Sequence, residues 1–336
     1  MDLSLIKRTF LSAKIGETIA SNYLSYHDPA VRAAGLQRKE TWGNEFKDKT
    51  FFVIRRANNW GLGSIAVMYT KYFEYALRRG WIPVVDMENA HTIYLDDSRL
   101  NCGINVWEWF FEQPCGYSLS DIKNAKNIVV APYHLASKVL SLIDFDAIMS
   151  KENLDYWRSV STKYLRLSND AKKYMKILEE KEQYKKSFRS NILGVYCRGT
   201  DYLDAKPKGH PIQPKPRDVV NKVKELIPVL DPSYIFLVTE DERILSLFLR
   251  EFSEKILYIP GQRYSKSDDS NKWIWQQEKM KNRDGYLNGM EYLAAMYYLG
   301  KCDYIIGGIT GGLAGSLLLN DNNFKYRYFW NLGRYR

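Results

Sequence analysis

The sequence predicts an α/β protein of two Rossmann-like, doubly wound domains that face each other across a central cleft. Its 336 residues are too many for one ordinary domain and enough for two, each able to bury its own core. Short apolar β-runs alternate with helical patterns, which is the order of βαβ units with right-handed crossovers. The alternation occurs twice, on either side of a charged stretch. We therefore place an N-terminal domain at residues 1–187 and a C-terminal domain at residues 188–336.

The N-terminal series is built around one clear βαβ unit. Apolar residues recur at helical spacing from Ile65 to Leu77, and Gly80 follows them, so we predict a helix that ends there. The predicted elements are, in order, a helical segment at 1–48, a strand at 50–55, this helix, a strand at 82–86, an aromatic helical segment at 105–114, a strand at 127–132, and helices within 137–185.

The C-terminal series repeats the alternation. The predicted strands are 191–196, 234–238, 255–259, 304–306 and 325–330, and the predicted helices are 217–230, 242–252, 285–299 and a short apolar helix entered through a glycine turn at 308–319. Parallel strands place their carboxyl ends at one edge of a sheet, and ligands bind in the crevice there. We therefore expect functional residues at the strand ends.

Composition narrows the class of protein. Hydrophobic residues make up 45% and charged residues 26% of the chain, as in soluble globular proteins. The longest apolar stretch, 312–319, is far shorter than the roughly 20 residues of a membrane span. The N-terminus lacks the pattern of a secretory signal, and the four cysteines form no CxxC pair and have no zinc spacing. We expect a cytoplasmic protein with reduced thiols.

The charge balance indicates an anionic partner. The formal net charge is +10, which suits a phosphate-bearing substrate, an anionic membrane face or nucleic acid. The Lys and Arg residues follow no nucleic-acid-binding module, so we expect no nucleic-acid partner and keep a basic nucleic-acid-binding protein only as the weaker alternative. A peripheral contact with the inner membrane face is a further expectation.

The densest candidate site is the segment 194–202, which begins as an apolar strand and turns polar at its carboxyl end. Arg198 offers a planar, permanently charged fork that suits two phosphate oxygens. Thr200 and Asp201 follow it. The alternative is a structural ion pair between Arg198 and Asp201.

Two more strand ends carry candidate ligand groups. Thr239, Glu240 and Asp241 could accept hydrogen bonds from a base or a ribose, or could cap the helix that starts at Glu242. The glycine turn at 307–316 could bring backbone N–H groups to an anion at a helix N-terminus, or could be a tight packing turn.

Weaker candidates lie on two other loops. The turn at 61–64 would place Gly61, Leu62 and Gly63 on the N-terminal side of the cleft. The Pro-rich basic loop at 206–216 carries His210, as a contact of the site or as part of a solvated connector. We find no metal-binding motif, and we expect no metal and no cofactor.

The strand-end segments, in this order, resemble the motifs of the fucosyltransferase superfamily, which includes α1,2-, α1,6- and protein O-fucosyltransferases. Residues 196–201 are similar to its first motif, His-x-Arg-(Arg/x)-(Thr/Gly)-Asp. Residues 238–241 resemble the second, a strand that ends in (Ala/Val)-Thr-Asp-Asp, and 302–312 resemble the third, a strand followed by Thr-Phe-Ser-Ser and a helix. The turn at 61–64 is similar to a glycine-rich loop near the N-terminus of these enzymes. Tyr196 replaces the motif His, and Thr310-Gly311 replaces the paired serines.

The resemblance implies a GT-B fold and a glycosyltransferase that moves a sugar from a GDP-sugar with inversion and without a metal. The sugar is fucose or, given the departures, that of another GDP-hexose or GDP-heptose. The acceptor is expected to be a glycan or a lipid-linked oligosaccharide in surface polysaccharide synthesis. A different nucleotide-binding α/β enzyme is the alternative.

The resemblance also implies roles for individual residues. Arg198 would bind the diphosphate. Asp201, Asp204 and Glu108 are candidates for the catalytic base. The expected donor-binding residues are Gly61, Leu62, Gly63, Arg198, Thr200, His210, Thr239, Glu240, Asp241, Thr310, Gly311 and Gly312.

Overall fold

A computed structural model describes residues 37–56, 59–132, 150–181, 184, 191–265, 284–320 and 323–336. Within these ranges the chain forms two sheets with helices packed on them. The strands are β1 (Arg38–Glu40), β2 (Phe51–Arg55), β3 (Ile82–Asp86), β4 (Ile128–Val130), β5 (Ile192–Tyr196), β6 (Tyr234–Val238), β7 (Ile256–Leu257), β8 (Tyr304–Gly308) and β9 (Tyr326–Trp330). The α-helices are α1 (Leu62–Leu77), α2 (Trp107–Phe110), α3 (Lys151–Tyr164), α4 (Asn169–Glu180), α5 (Thr200–Asp204), α6 (Pro216–Leu230), α7 (Glu242–Phe252), α8 (Gly285–Gly300) and α9 (Gly311–Leu318).

The first sheet has the order β1-β4-β2-β3. Strand β2 is parallel to both β3 and β4, and β1 is antiparallel to β4. The predicted helix over 1–48 is wrong where the structure can be compared, because residues 38–40 pair as a strand with the edge of β4; residues 1–36 lie outside the described ranges. Three residues are too few to show a period of two, so the sequence pattern could not reveal this pairing.

The second sheet is parallel throughout and has the order β7-β6-β5-β8-β9. The chain proceeds from β5 to one side and then returns to place β8 on the other side. This reversal creates a crevice between the loops that follow β5 and β8. The predicted α/β class with parallel sheets is confirmed.

Some predicted elements are shorter than expected. The aromatic segment at 105–114 is helical only over the four residues of α2. The strand predicted at 255–259 ends at Leu257, so the chain leaves the sheet early and continues toward the crevice. Of the helices predicted within 137–185, the structure describes α3 and α4. Each begins at a serine whose hydroxyl accepts a hydrogen bond from the backbone, Ser150 from Asn153 N and Ser168 from Ala171 N.

Helices α1 and α9 cross with their backbones in close contact. A Cβ atom added to Gly63 would lie 2.6 Å from the carbonyl oxygen of Gly311, and one added to Gly315 would lie 2.7 Å from Gly63 Cα. No side chain fits between the two helices. The two halves of the chain are therefore in direct backbone contact here.

The hydrophobic core reflects the same contact. Each sheet has a buried cluster of its own, with Phe51 and Val53 in the first and Leu193 and Val195 in the second. The largest cluster contains residues of both halves, including Phe52 and Ile54 of β2 with Leu313 and Leu317 of α9. The two halves thus share a buried cluster in addition to the core of each sheet. The boundary at residue 187 stays a prediction. None of the helices in the described ranges has the length and apolar character that crossing a membrane requires.

Candidate active site

A cleft of about 500 Å³ opens at the carboxyl ends of β5, β6 and β8 and reaches the turn after β2. We call this space the cleft. Its lining consists of Asn59, Trp60, Gly61, Ser64, Ile93, Tyr94, Tyr196, Arg198, Tyr202, His210, Leu237, Val238, Thr239, Glu240, Ile259, Pro260, Gly261, Gln262, Arg263, Tyr264, Asn288, Glu291, Tyr292, Ala295, Thr310, Gly311 and Gly312. Residues of both halves therefore face one space.

Arg198 lies in the turn after β5 with its side chain 16% exposed. Its Nη1 is 3.3 Å from Glu240 Oε2, and its guanidinium carbon is 5.2 Å from the ring centre of Tyr202. The side chain of Asp201, the partner considered from sequence, lies outside the described residues. The structure thus places a largely buried cation at the wall of the cleft.

Glu240 holds the turn that carries Arg198. Its Oε1 accepts hydrogen bonds from Gly199 N at 2.8 Å and from Thr200 Oγ1 at 2.9 Å, and its Oε2 pairs with Arg198. The carboxylate also lines the cleft. Its contacts show that its main role is to position Arg198. Thr239 lines the cleft beside it.

Asp241 is 1% exposed and has a structural role. Its Oδ1 accepts from Arg243 N at 2.8 Å as the cap of α7, and its Oδ2 accepts from Thr200 N at 3.0 Å. Burial raises the pKa of the Asp241 carboxyl, but the hydrogen bonds from Arg243 and Thr200 outweigh it, and the pKa lies below its ordinary value. The prediction that Asp241 contacts the sugar donor therefore needs correction. The alternative, that Asp241 caps the following helix, describes what the structure shows.

In the short helix α5, Tyr202 lines the cleft, whereas Thr200 and Asp204 do not. Thr200 is buried, has a φ of +39°, and is bonded to Glu240 and Asp241. Asp204 Oδ2 accepts from Arg243 Nη2 at 3.0 Å. Neither residue lines the cleft, so donor binding by Thr200 and base catalysis by Asp204 both need correction. Asp201, the other base candidate, has a side chain outside the described residues.

Glu108 is also outside the cleft. It is exposed, and its Oε1 accepts from Gln113 Nε2 at 2.9 Å and from Asn105 Nδ2 at 3.3 Å. These bonds secure the loop around α2, so the candidacy of Glu108 as a base needs correction as well.

The third strand-end segment also lines the cleft. Thr310 Oγ1 accepts from Leu313 N at 3.2 Å and caps α9, while Gly311 and Gly312 line the cleft at the start of this helix. The Tyr196 hydroxyl is hydrogen-bonded to Thr310 and Tyr292. Burial raises the pKa of both tyrosines, so their hydroxyls keep their protons and can donate to an anion at the helix start.

The turn after β2 divides its predicted residues between two roles. Gly61 lines the cleft. The side chain of Leu62 is fully buried, and its N–H donates to Tyr94 Oη at 2.9 Å. Gly63 packs against α9. Donor contact by Leu62 and Gly63 therefore needs correction.

His210 lines the cleft with its Nδ1 3.2 Å from Tyr202 Oη. Its loop is tied to the C-terminus, since Gly209 N donates to Tyr335 O at 2.8 Å and Tyr335 N donates to His210 O at 3.0 Å. His210 thus lines the cleft from a loop that is anchored by backbone hydrogen bonds.

Sequence reasoning missed three further groups of cleft residues, of which the first is Ile93 and Tyr94 in the loop after β3. The segment 259–264 carries no recognisable motif and reaches the cleft because β7 is short. On α8, Asn288, Glu291, Tyr292 and Ala295 line the cleft. Their spacing of i, i+3, i+4 and i+7 is that of one helix face. The polar residues on this face of an otherwise apolar helix could have indicated in the sequence that it faces a site.

No group of three or more His, Cys, Asp or Glu side chains is placed to hold a metal ion within the described parts of the chain.

Comparison with known proteins gives structural matches only. No protein-family model and no curated protein matches the chain. Among solved structures, the fucosyltransferase NodZ from Bradyrhizobium is similar at 17% identity and a TM-score of 0.49, over 80% of this chain and 92% of that one. POFUT1 in complex with GDP-fucose is similar at 9% identity and a TM-score of 0.44, over 85% and 99%. A mutant of Arabidopsis thaliana FUT1 in complex with GDP is similar at 12% identity and a TM-score of 0.39, over 94% and 76%.

Proposed function

We propose that this chain is a GT-B glycosyltransferase that transfers a sugar, fucose in our proposal, from a GDP-sugar to a hydroxyl group of a glycan. One observation carries the proposal. Arg198 and the N-terminus of α9 line the same cleft, beside the two strands between which the order of the second sheet reverses. A fixed cation and a helix N-terminus together form a site for a diphosphate.

The chemistry needs such a site. As the bond from the anomeric carbon to the β-phosphate oxygen breaks, negative charge grows on the departing nucleoside diphosphate. Preorganised donors stabilise that charge. In our proposal these are the Arg198 guanidinium, the backbone N–H groups of Gly311 and Gly312, and the hydroxyls of Tyr196 and Tyr292. Positive charge grows on the sugar ring in an oxocarbenium-like transition state.

The rest of the cleft suits the other parts of the two substrates. Val238, Ile259, Pro260 and Ala295 provide apolar surface for a nucleobase. In our proposal Trp60 and Tyr94, which also line the cleft, provide aromatic surface for sugar rings. The net charge of +10 favours a lipid-linked or otherwise anionic acceptor, which we propose belongs to surface polysaccharide synthesis at a membrane face.

The decisive variant is Arg198→Ala. We expect GDP release from GDP-fucose to fall at least about 100-fold, as when one donor to a developing anion is lost, and the affinity for GDP to fall with it. GDP release in EDTA-containing buffer, GDP titration calorimetry and thermal unfolding are the measurements. Arg217→Ala is the matched control, because Arg217 is an exposed arginine of α6 that pairs with Glu251 and does not line the cleft. Turnover at the wild-type rate in Arg198→Ala would refute the proposal.

A ligand screen separates this proposal from another nucleotide-binding enzyme. We expect the wild-type protein to bind GDP more tightly than UDP, CMP or NAD in calorimetric titrations. Tight NAD binding without GDP binding would favour the alternative class of enzyme.

A further inference from the structure

A surface next to the cleft carries positive charge without any acidic side chain. It consists of the loop 206–216 and the C-terminal residues 331–336, and we call it the basic patch. Its two segments contain no Asp and no Glu. Their cations are Lys206, Lys208, Lys215, Arg334 and Arg336. In number these five equal half of the formal net charge of +10, so the charge of the chain is concentrated here.

Hydrogen bonds hold the two segments of the basic patch together. Gly209 N donates to Tyr335 O at 2.8 Å, and Arg334 Nη1 donates to Gly209 O at 3.0 Å. Lys208 precedes Gly209 and Arg336 follows Tyr335, so their backbones are neighbours as well. The cations of the two segments therefore share one surface, although more than a hundred residues separate them in the sequence.

The basic patch faces solvent. All five of its Lys and Arg residues are exposed, and so is Leu332, at 47%. The acidic residues nearest in sequence are Asp204, which pairs with Arg243, and Asp218 in the first turn of α6. Like charges that are crowded on one surface repel each other, and an anionic partner relieves this repulsion.

The basic patch borders the cleft. His210 belongs to the same loop, lines the cleft, and has its Nδ1 3.2 Å from Tyr202 Oη. Lys208 is two residues away from it along the chain. A partner on the basic patch would therefore lie next to an opening through which a substrate can reach Arg198.

We propose that the basic patch docks the protein on a membrane surface that contains anionic lipids. Docked in this way, the cleft would be close to glycans that are carried by lipids; this use of the docking rests on the proposed function. Lys and Arg side chains are attracted to anionic headgroups, and an exposed leucine among them can enter the headgroup region. A nucleic acid would neutralise the cations but would offer no apolar region to Leu332, and the patch matches no nucleic-acid-binding module.

The test is co-sedimentation of the full chain with phosphatidylcholine vesicles that contain about 30% phosphatidylglycerol, compared with vesicles of phosphatidylcholine alone. The variant combines Lys206→Gln, Lys208→Gln and Arg336→Gln. We expect its partition coefficient to fall about 100-fold, because each Lys or Arg near an anionic surface contributes a factor of about five. Leu332→Ala should lower it about threefold through lost apolar contact. Raising NaCl from about 0.1 M to about 0.5 M should release the wild type.

The matched control combines Lys123→Gln, Lys126→Gln and Lys163→Gln. These residues are exposed and lie outside the basic patch, and the control has the same net charge as the variant. We expect it to bind the anionic vesicles like the wild type. An equal loss in both would show that total charge is responsible, and it would overturn the proposal.

Other outcomes are equally distinct. Equal binding of the wild type to the two kinds of vesicle would overturn the proposal, as would tighter binding to poly-U RNA that is lost in the variant. In the variant without vesicles, kcat for GDP release from GDP-fucose and the Kd for GDP should stay within about twofold of wild type, as for surface substitutions. A wild-type protein that binds anionic vesicles but neither binds GDP nor releases it would refute the proposed function alone.

Discussion

The glycine turn at 61–64 and the glycine turn at 310–312 occupy matching places in the two halves of the molecule, each between a parallel strand and a helix. In the first turn, Gly61 faces the cleft while Gly63 lies against the backbone of α9. In the second, Gly311 and Gly312 line the cleft, and Gly311 also packs against Ser64. Each turn thus lines the cleft and also takes part in the contact between α1 and α9.

The difference lies in what a methyl group would meet. At Gly63 it would meet main-chain atoms of Gly311 and Gly312, which cannot rotate away. At Gly312 it would meet the hydroxyls of Tyr196 and Tyr292, the ends of two side chains. A glycine after a strand therefore indicates that another group approaches the backbone closely. Sequence alone does not show whether that group is a neighbouring helix or a ligand.

The largest effect on stability is expected for Gly63→Ala. Its methyl group would lie 2.6 Å from the Gly311 carbonyl oxygen, so α1 and α9 must separate. We expect the free energy of unfolding to fall by about 2–3 kcal/mol, as for overpacked sites. Urea denaturation measures it. Gly61→Ala is the control, since its methyl would meet only the Tyr292 side chain, at 3.1 Å. Equal losses in the two variants would break the comparison.

A smaller effect, and on binding instead of stability, is expected for Gly312→Ala. The methyl group would displace the Tyr196 and Tyr292 hydroxyls from the start of α9. We expect GDP affinity to fall about tenfold, which corresponds to about 1.4 kcal/mol, with unfolding changed by less than about 1 kcal/mol. Calorimetric titration with GDP and urea denaturation measure the two quantities. Unchanged affinity would show that this turn serves packing alone.

The smallest effect is expected for Thr310→Val. The variant keeps the shape of the side chain but loses the cap of α9, in which Thr310 Oγ1 accepts from Leu313 N. We expect unfolding to become easier by about 0.5–1 kcal/mol, measured by urea denaturation. A loss above that of Gly63→Ala would mean that the cap, and not the helix contact, dominates this end of the cleft.

Much of the framework could be predicted from sequence because local patterns define it. The alternation of apolar runs located β2, β3, β5 and β6, and the helical spacing located α1. The cleft position of Arg198 followed from its place after a parallel strand.

What sequence could not supply was contact between distant segments. Glu240 and Asp241 are neighbours of the same chemical type, yet one lines the cleft and the other is buried as a helix cap. Only the position of Thr200 and Arg243 in space separates their roles. The pairing of His91 with Asn59 was equally hidden, since it depends on two turns that leave adjacent strands.

The buried cluster that contains both Ile54 and Leu317 has a consequence for how the molecule responds to heat. Two Rossmann-like units with independent interiors can melt one after the other, whereas units that share an interior lose their order together. The α1–α9 crossing lies within this common interior, so widening the gap between the sheets would expose apolar surface from both. We therefore expect the two halves to move little relative to each other. The width of the cleft should then be nearly constant, and substrates should bind without a hinge motion of one half.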